Sequence, residues 1–146
     1  MAIAVRRASG GDFNAVHQFI CELQDRYFDK VALEGIYLKN ISHPDHIYLV
    51  AVEGSNVVGY GSCHIQYLLH HGGKVAEIQE MFVASGHRNK GTGKLLMAAM
   101  KEAAKAKGAL QLEVTTRAVR EAAIRFYMGE GFEDSHKKLV HYFQNF

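Results

Sequence analysis

The sequence predicts an α/β chain of the α+β kind, a mixed central sheet with helices over it, in a single domain spanning 1–146. Three observations carry this. Apolar residues alternate with polar ones in several short segments, recur at three- and four-residue spacing in others, and the two kinds of segment interleave along the chain. Ile3–Ala8 alternates and reads as the first strand. Ser9, Gly10, Gly11 and Asp12 make a turn and a helix start, and Phe13, Val16, His17, Ile20 and Leu23 then fall at helical spacing. A second helix covers Val31–Ile41 and stops near His43-Pro44, because the residue before a proline avoids the helical region. His46–Glu53 and Val57–Leu69 are strands joined by Gly54-Ser55-Asn56, a hairpin. After His70-His71-Gly72-Gly73 comes a strand over Val75–Val83. The next helix has Leu95, Leu96, Ala99, Ala103 and Ala106 as its apolar side and Gly108 as its stop. Leu110–Thr116 reads as a strand, Glu121–Met128 as a helix and Phe132–Phe143 as a last alternating strand.

Composition narrows the function classes. The 146 residues are 48% hydrophobic and 22% charged, with a net charge of +2, so bulk electrostatics predict no nucleic-acid or membrane partner. Cys21 and Cys63 are too few for a disulfide framework or a zinc site, and with no long apolar run they point to a cytoplasmic protein. Nine histidines are an excess that asks for an explanation.

The most telling stretch is HRNKGTGKLL at 87–96. Gly91 and Gly93 let backbone N–H groups approach a ligand without a Cβ in the way, and Arg88, Lys90 and Lys94 surround them. The stretch opens a helix, whose first amides are unsatisfied and whose dipole favours an anion. A G-x-G-x-x-G fingerprint is absent, and the spacing is wrong for a Walker loop.

The pattern R-x-x-G-x-G at Arg88–Gly93, following E-M-F-V at Glu80–Val83, resembles the acetyl-CoA signature of the GNAT-type N-acetyltransferases. F-Y-x-x-x-G-F at Phe126–Phe132 and the order of elements extend the resemblance over nearly the whole chain. It implies the GNAT fold, with a splayed strand pair, and acetyl-CoA as cosubstrate. The diphosphate is then expected on the backbone of Arg88, Asn89, Lys90, Gly91, Thr92, Gly93 and Lys94. The pantetheine arm is expected along Met81, Phe82 and Val83, with the Met81 N–H facing the thioester oxygen. Tyr127 corresponds to the tyrosine that protonates the leaving thiolate, whereas Arg120 stands where many members have asparagine.

An attacking amine must lose a proton, so a carboxylate is needed as general base. Glu77 and Glu80 are the candidates, and plain alternation puts them on opposite faces unless a bulge intervenes. The segments I-C-E-L at 20–23, H-x-Q-x-x-L-H-H at 64–71, E-I-Q-E at 77–80 and Ser135-His136 are similar to bacterial aminoalkylphosphonate N-acetyltransferases. This closer resemblance makes a small aminophosphonate the leading acceptor, with His64, His70, His71 and His136 as substrate-binding candidates and a divalent metal left open. A polyamine, an aminoglycoside, a protein N-terminus, or a catalytically idle acetyl-CoA-binding module are the alternatives. A homodimer through the last strands is common in the family.

Overall fold

The computed structural model describes residues 2–144, in two compact units that meet in sequence at Val114 and Thr115. The first unit holds β1 (Ile3–Arg7), α1 (Phe13–Gln24), α2 (Lys30–Ile41), β2 (His46–Glu53), β3 (Asn56–Leu68), β4 (Gly73–Val83), α3 (Thr92–Ala106) and β5 (Leu112–Val114). The five strands form one sheet in sequence order, antiparallel except for the parallel β4–β5 pair. No described helix is long and apolar enough to cross a membrane.

Local chemistry sets the helix ends. Asp12 takes the Ser9 amide at 2.8 Å and both Arg6 guanidinium nitrogens at 2.8 and 2.9 Å, which fixes the entry to α1. The Arg6 guanidinium holds the Asp12 carboxyl below its ordinary range. Asp25, at φ 50°, ends α1 in the left-handed region, and Asp29 caps α2 by accepting from the Ala32 amide at 2.9 Å.

Strand alternation then sorts the side chains. Tyr48 and Val50 of β2, Tyr60 of β3 and Phe82 of β4 share one face with Phe13, Val16 and Phe19 of α1 and Tyr37 of α2. On the other face lies α3. A Cβ at Gly59 would come within 3.1 Å of Leu96 Cδ1 and 3.3 Å of the Phe82 carbonyl, so only glycine lets α3 approach this closely.

The second unit contains α4 (Glu121–Gly129). Gly131, at φ 94°, ends the helix, with its amide on the Met128 carbonyl and the Phe132 amide on that of Tyr127. The strand expected over Phe132–Phe143 is not formed; the described residues after Gly131 have no helix or strand. Alternation supplies a strand with two faces but not a ladder partner, and among the described residues of this unit no other strand is present to satisfy its backbone. The fifth strand is also shorter than the expected Leu110–Thr116, for a reason that lies in β4.

Candidate active site

Ser62 of β3 pairs with Glu80 of β4, but its neighbour Cys63 pairs with Ile78, so Gln79 is an extra residue without a cross-strand partner. This is a β-bulge, and it reverses the parity of β4. Glu77, opposite His64, and Glu80, opposite Ser62, therefore lie on the same face. The backbone edge is re-phased too. Before the bulge the Ala76 amide donates to Gln111 on the β5 side; after it the Ala84 amide donates to Val58 on the β3 side. Alternation from Ala84 turns the N–H and C=O of Val83 and Met81 away from β3. Pairing with β5 covers only Ala76, Glu77 and Ile78, so the parallel ladder ends where the bulge begins.

Beside the open edge lies the glycine loop. Asn89 and Gly91 are left-handed, at φ 61° and 84°. The first helical bond of α3 runs from the Leu95 amide to the Gly91 carbonyl at 3.1 Å, so Thr92, Gly93 and Lys94 present amides that the helix does not use. Thr92 Oγ1 is buried without a partner among the described residues. Arg88 does not project freely: its Nε donates to the Val83 carbonyl at 2.9 Å, and its guanidinium lies 5.3 Å from the Phe82 ring centre. Phe82 itself is core, stacked on Phe19 at 5.0 Å. Lys90 and Lys94 are exposed.

The face carrying the two glutamates has a polar strip. Glu80 Oε1 accepts from Tyr60 Oη at 3.1 Å and from Ser62 Oγ, while the Glu80 amide donates to Ser62 Oγ at 3.2 Å. Burial, then the neighbouring Glu80 charge, pushes the Tyr60 phenol well above its usual range, so it remains a donor. Further along, Asn40 Nδ2 donates to Tyr48 Oη at 2.9 Å, and Tyr48 lies 2.9 Å from His64 Nε2. The Tyr48 hydroxyl thus joins Asn40 and His64 in one hydrogen-bonded chain. His64 stacks on His46 at 3.7 Å and His46 on His43 at 4.2 Å. Burial and these two neighbours lower the His64 pKa to about 4, so the ring is neutral at neutral pH.

His70 and His71 lie in a short turn after β3, four strand residues or about 13 Å beyond His64. In the second unit, Tyr127 packs edge-on against Phe126 and Phe132, each at 5.5 Å, and burial raises its phenol pKa against the opposing effect of Arg120. His136 Nδ1 is 2.8 Å from Ser135 Oγ. Among the described residues no three His, Cys, Asp or Glu side chains are grouped to hold a metal ion, so the divalent metal left open by the sequence finds no donor set there. Sequence reasoning missed Tyr60, Ser62, Tyr48, Asn40 and His46. Tyr60 and Ser62 stand two apart in register with His64, a polar row inside an otherwise apolar strand, and that was the signal.

The β4–β5 ladder ends at the bulge, and an amide-lined helix start follows β4 in the same unit. Residues 16–132 match the Acetyltransferase (GNAT) family, and the chain belongs to it. It is an acetyl-CoA-dependent N-acetyltransferase. An aminoalkylphosphonate N-acetyltransferase of Salmonella typhimurium is 36% identical over 93% of this chain and 88% of its own length. Among solved structures, a transcriptional regulator from Bacillus halodurans aligns with a TM-score of 0.90 at 25% identity, over 97% of this chain and 100% of that one. Glucosamine-6-phosphate N-acetyltransferase from Arabidopsis thaliana shares the fold, with a TM-score of 0.82 at 18% identity, covering 99% and 100% of the two chains.

Proposed function

We propose that the protein transfers the acetyl group of acetyl-CoA to the primary amine of a small aminoalkylphosphonate. The observation that carries the acceptor class is the 36% identity, over 93% of the chain, to a relative of that name. The cofactor reading rests on the loop and the edge. The amides from Arg88 through Lys94 take the diphosphate, and the outward N–H and C=O groups of Met81 and Val83 pair with the pantetheine arm as an added strand would. The Met81 N–H donates to the thioester oxygen, where negative charge develops.

The amine reaches the enzyme mostly as an ammonium ion. A carboxylate of the Glu77–Glu80 pair removes one proton, and the nitrogen lone pair attacks the thioester carbonyl carbon. As the tetrahedral adduct collapses, the nitrogen gives its second proton to solvent, the C–S bond breaks, and the sulfur leaves as a thiolate that takes up a proton to become the free thiol. Tyr127, whose elevated pKa keeps the phenol protonated at neutral pH, donates that proton. The phosphonate needs donors, and the candidates are His64, His70, His71, His136 and Arg120. His64 can offer a hydrogen bond but no charge while it remains neutral. No step is routed through a metal.

The test is thiol release from acetyl-CoA across a panel of aminoalkylphosphonates, plain alkylamines of equal length, spermidine, an aminoglycoside and a peptide N-terminus, with and without chelator. Aminophosphonates are expected to give the highest kcat/KM. Faster turnover of spermidine, the aminoglycoside or the peptide overturns the acceptor assignment and leaves acetyl transfer standing. Cofactor binding with no amine-dependent thiol release marks an idle coenzyme A module.

A further inference from the structure

We infer that Tyr60 and Ser62 are positioning residues for Glu80, and that they make Glu80, rather than Glu77, the carboxylate that accepts the amine proton. The inference rests on the acetyl-transfer reading above and adds to it the choice of base and the device that fixes it. Both hydroxyls donate to one oxygen, Oε1, and neither has water as an alternative, since Tyr60 is 2% exposed and Ser62 is fully buried. Ser62 also takes the Glu80 amide on the same Oγ, so backbone and carboxylate of one residue are clamped by a single side chain on the neighbouring strand. Oε2 has no hydrogen bond among the described residues. Half the carboxylate is thus anchored while the other half is presented to a ligand.

The chemistry favours such an arrangement. A freely rotating glutamate would lose side-chain entropy when it engaged the amine, and an anchored one has already lost it on folding. The hydroxyls are charge-assisted donors, the stronger class of hydrogen bond, and they satisfy one oxygen without neutralising the group. Glu77 stands opposite His64 in the ladder, whose imidazole is neutral. The simpler account is that Tyr60 and Ser62 are buried hydroxyls for which Glu80 is merely a convenient acceptor, and it makes different predictions.

The experiment is a double-mutant cycle on kcat/KM with acetyl-CoA and the best amine of the panel. Tyr60→Phe removes one donor and keeps the ring; it is expected to lower kcat/KM roughly ten- to a hundredfold, with the KM for acetyl-CoA unchanged. In a Glu80→Gln background the same substitution is expected to change nothing further, because its route to the chemistry is gone. An equal fall in both backgrounds, no fall in the wild type, or turnover that depends on Glu77 and ignores Glu80 overturns the inference. Crystal structures supply a readout independent of rate: Glu80 should leave its rotamer in Tyr60→Phe/Ser62→Ala, and an unmoved carboxylate there is equally fatal. If the wild type turns over no amine at all, it is the acetyl-transfer reading that fails, and the rotamer comparison still reports on the clamp.

Discussion

His64 makes the fold acid-sensitive in a window well above the carboxylates. Its ring is held neutral by burial and by the stacked His46 and His43, with a pKa of about 4 against an ordinary 6.5. Because the unfolded chain binds this proton more readily than the folded one, the contribution is fully present above about pH 6.5 and is lost as pH falls toward 4. The full depression corresponds to roughly 3 kcal/mol. The ring is only partly buried, and solvent screening reduces the expected value to about 1.5 kcal/mol. The perturbation is His64→Gln, which keeps an acceptor for the Tyr48 hydroxyl and removes the titration. Urea unfolding at several pH values between 7.5 and 4.5 measures the effect as the difference between the two proteins. The wild type should lose about 1 kcal/mol more than the variant over that range. His46, whose pKa is also lowered by burial and by His43, titrates in both proteins and cancels to first order. Asp12 is held below its ordinary carboxylate range by Arg6, so its contribution is lost only at pH values below that range. Parallel stability curves for the two proteins would refute the neutral His64.

Two further predictions address the cofactor and the leaving group. A Cβ at Gly91 meets nothing within 4 Å, so Gly91→Ala carries only the cost of φ 84°, whereas Gly91→Asp adds a carboxylate where the diphosphate is proposed. By calorimetry the aspartate should bind coenzyme A more weakly than the alanine by upwards of about 2 kcal/mol, roughly thirtyfold, and equal affinities would remove the anion site from this loop. Tyr127→Phe keeps the ring contacts with Phe126 and Phe132 and should lower kcat roughly ten- to a thousandfold with little change in acetyl-CoA KM; an unchanged kcat would assign the proton donor elsewhere.

The elements that could be read in advance are those whose signal is local. His46–Glu53 occupies the span its alternation predicts, and Glu121–Gly129 extends its predicted helix by one residue, because period and end signals lie within the segment itself. Phe132–Phe143 shows the limit of that reasoning. A strand exists only as a member of a ladder, and the identity of the partner is written nowhere in the segment. The short β5 is a milder instance. The Leu110 amide donates to the Lys74 carbonyl at 2.9 Å, but ladder pairing runs only from Leu112–Ala76 to Val114–Ile78.

The candidate site was legible in its residues and illegible in its geometry, and the bulge explains why. Glu77 and Glu80 are separated by an odd number of positions, so alternation alone assigns them to opposite faces. Gln79 has none of the glycine or turn chemistry that would announce an inserted residue, and the bulge appears only when Ser62–Glu80 and Cys63–Ile78 are compared across two strands. That one unpaired residue has two effects that must occur together. It turns Glu80 onto the face that already carries Glu77, His64, Ser62 and Tyr60, and it turns the backbone of Met81 and Val83 to the edge away from β3. Side-chain parity and edge parity are linked in any strand, so bringing this carboxylate to that face also turns the next N–H away from β3. The proposed base and the proposed thioester-facing amide are therefore positioned by the same insertion. A substitution at Gln79 that preserves the bulge should then leave both roles intact.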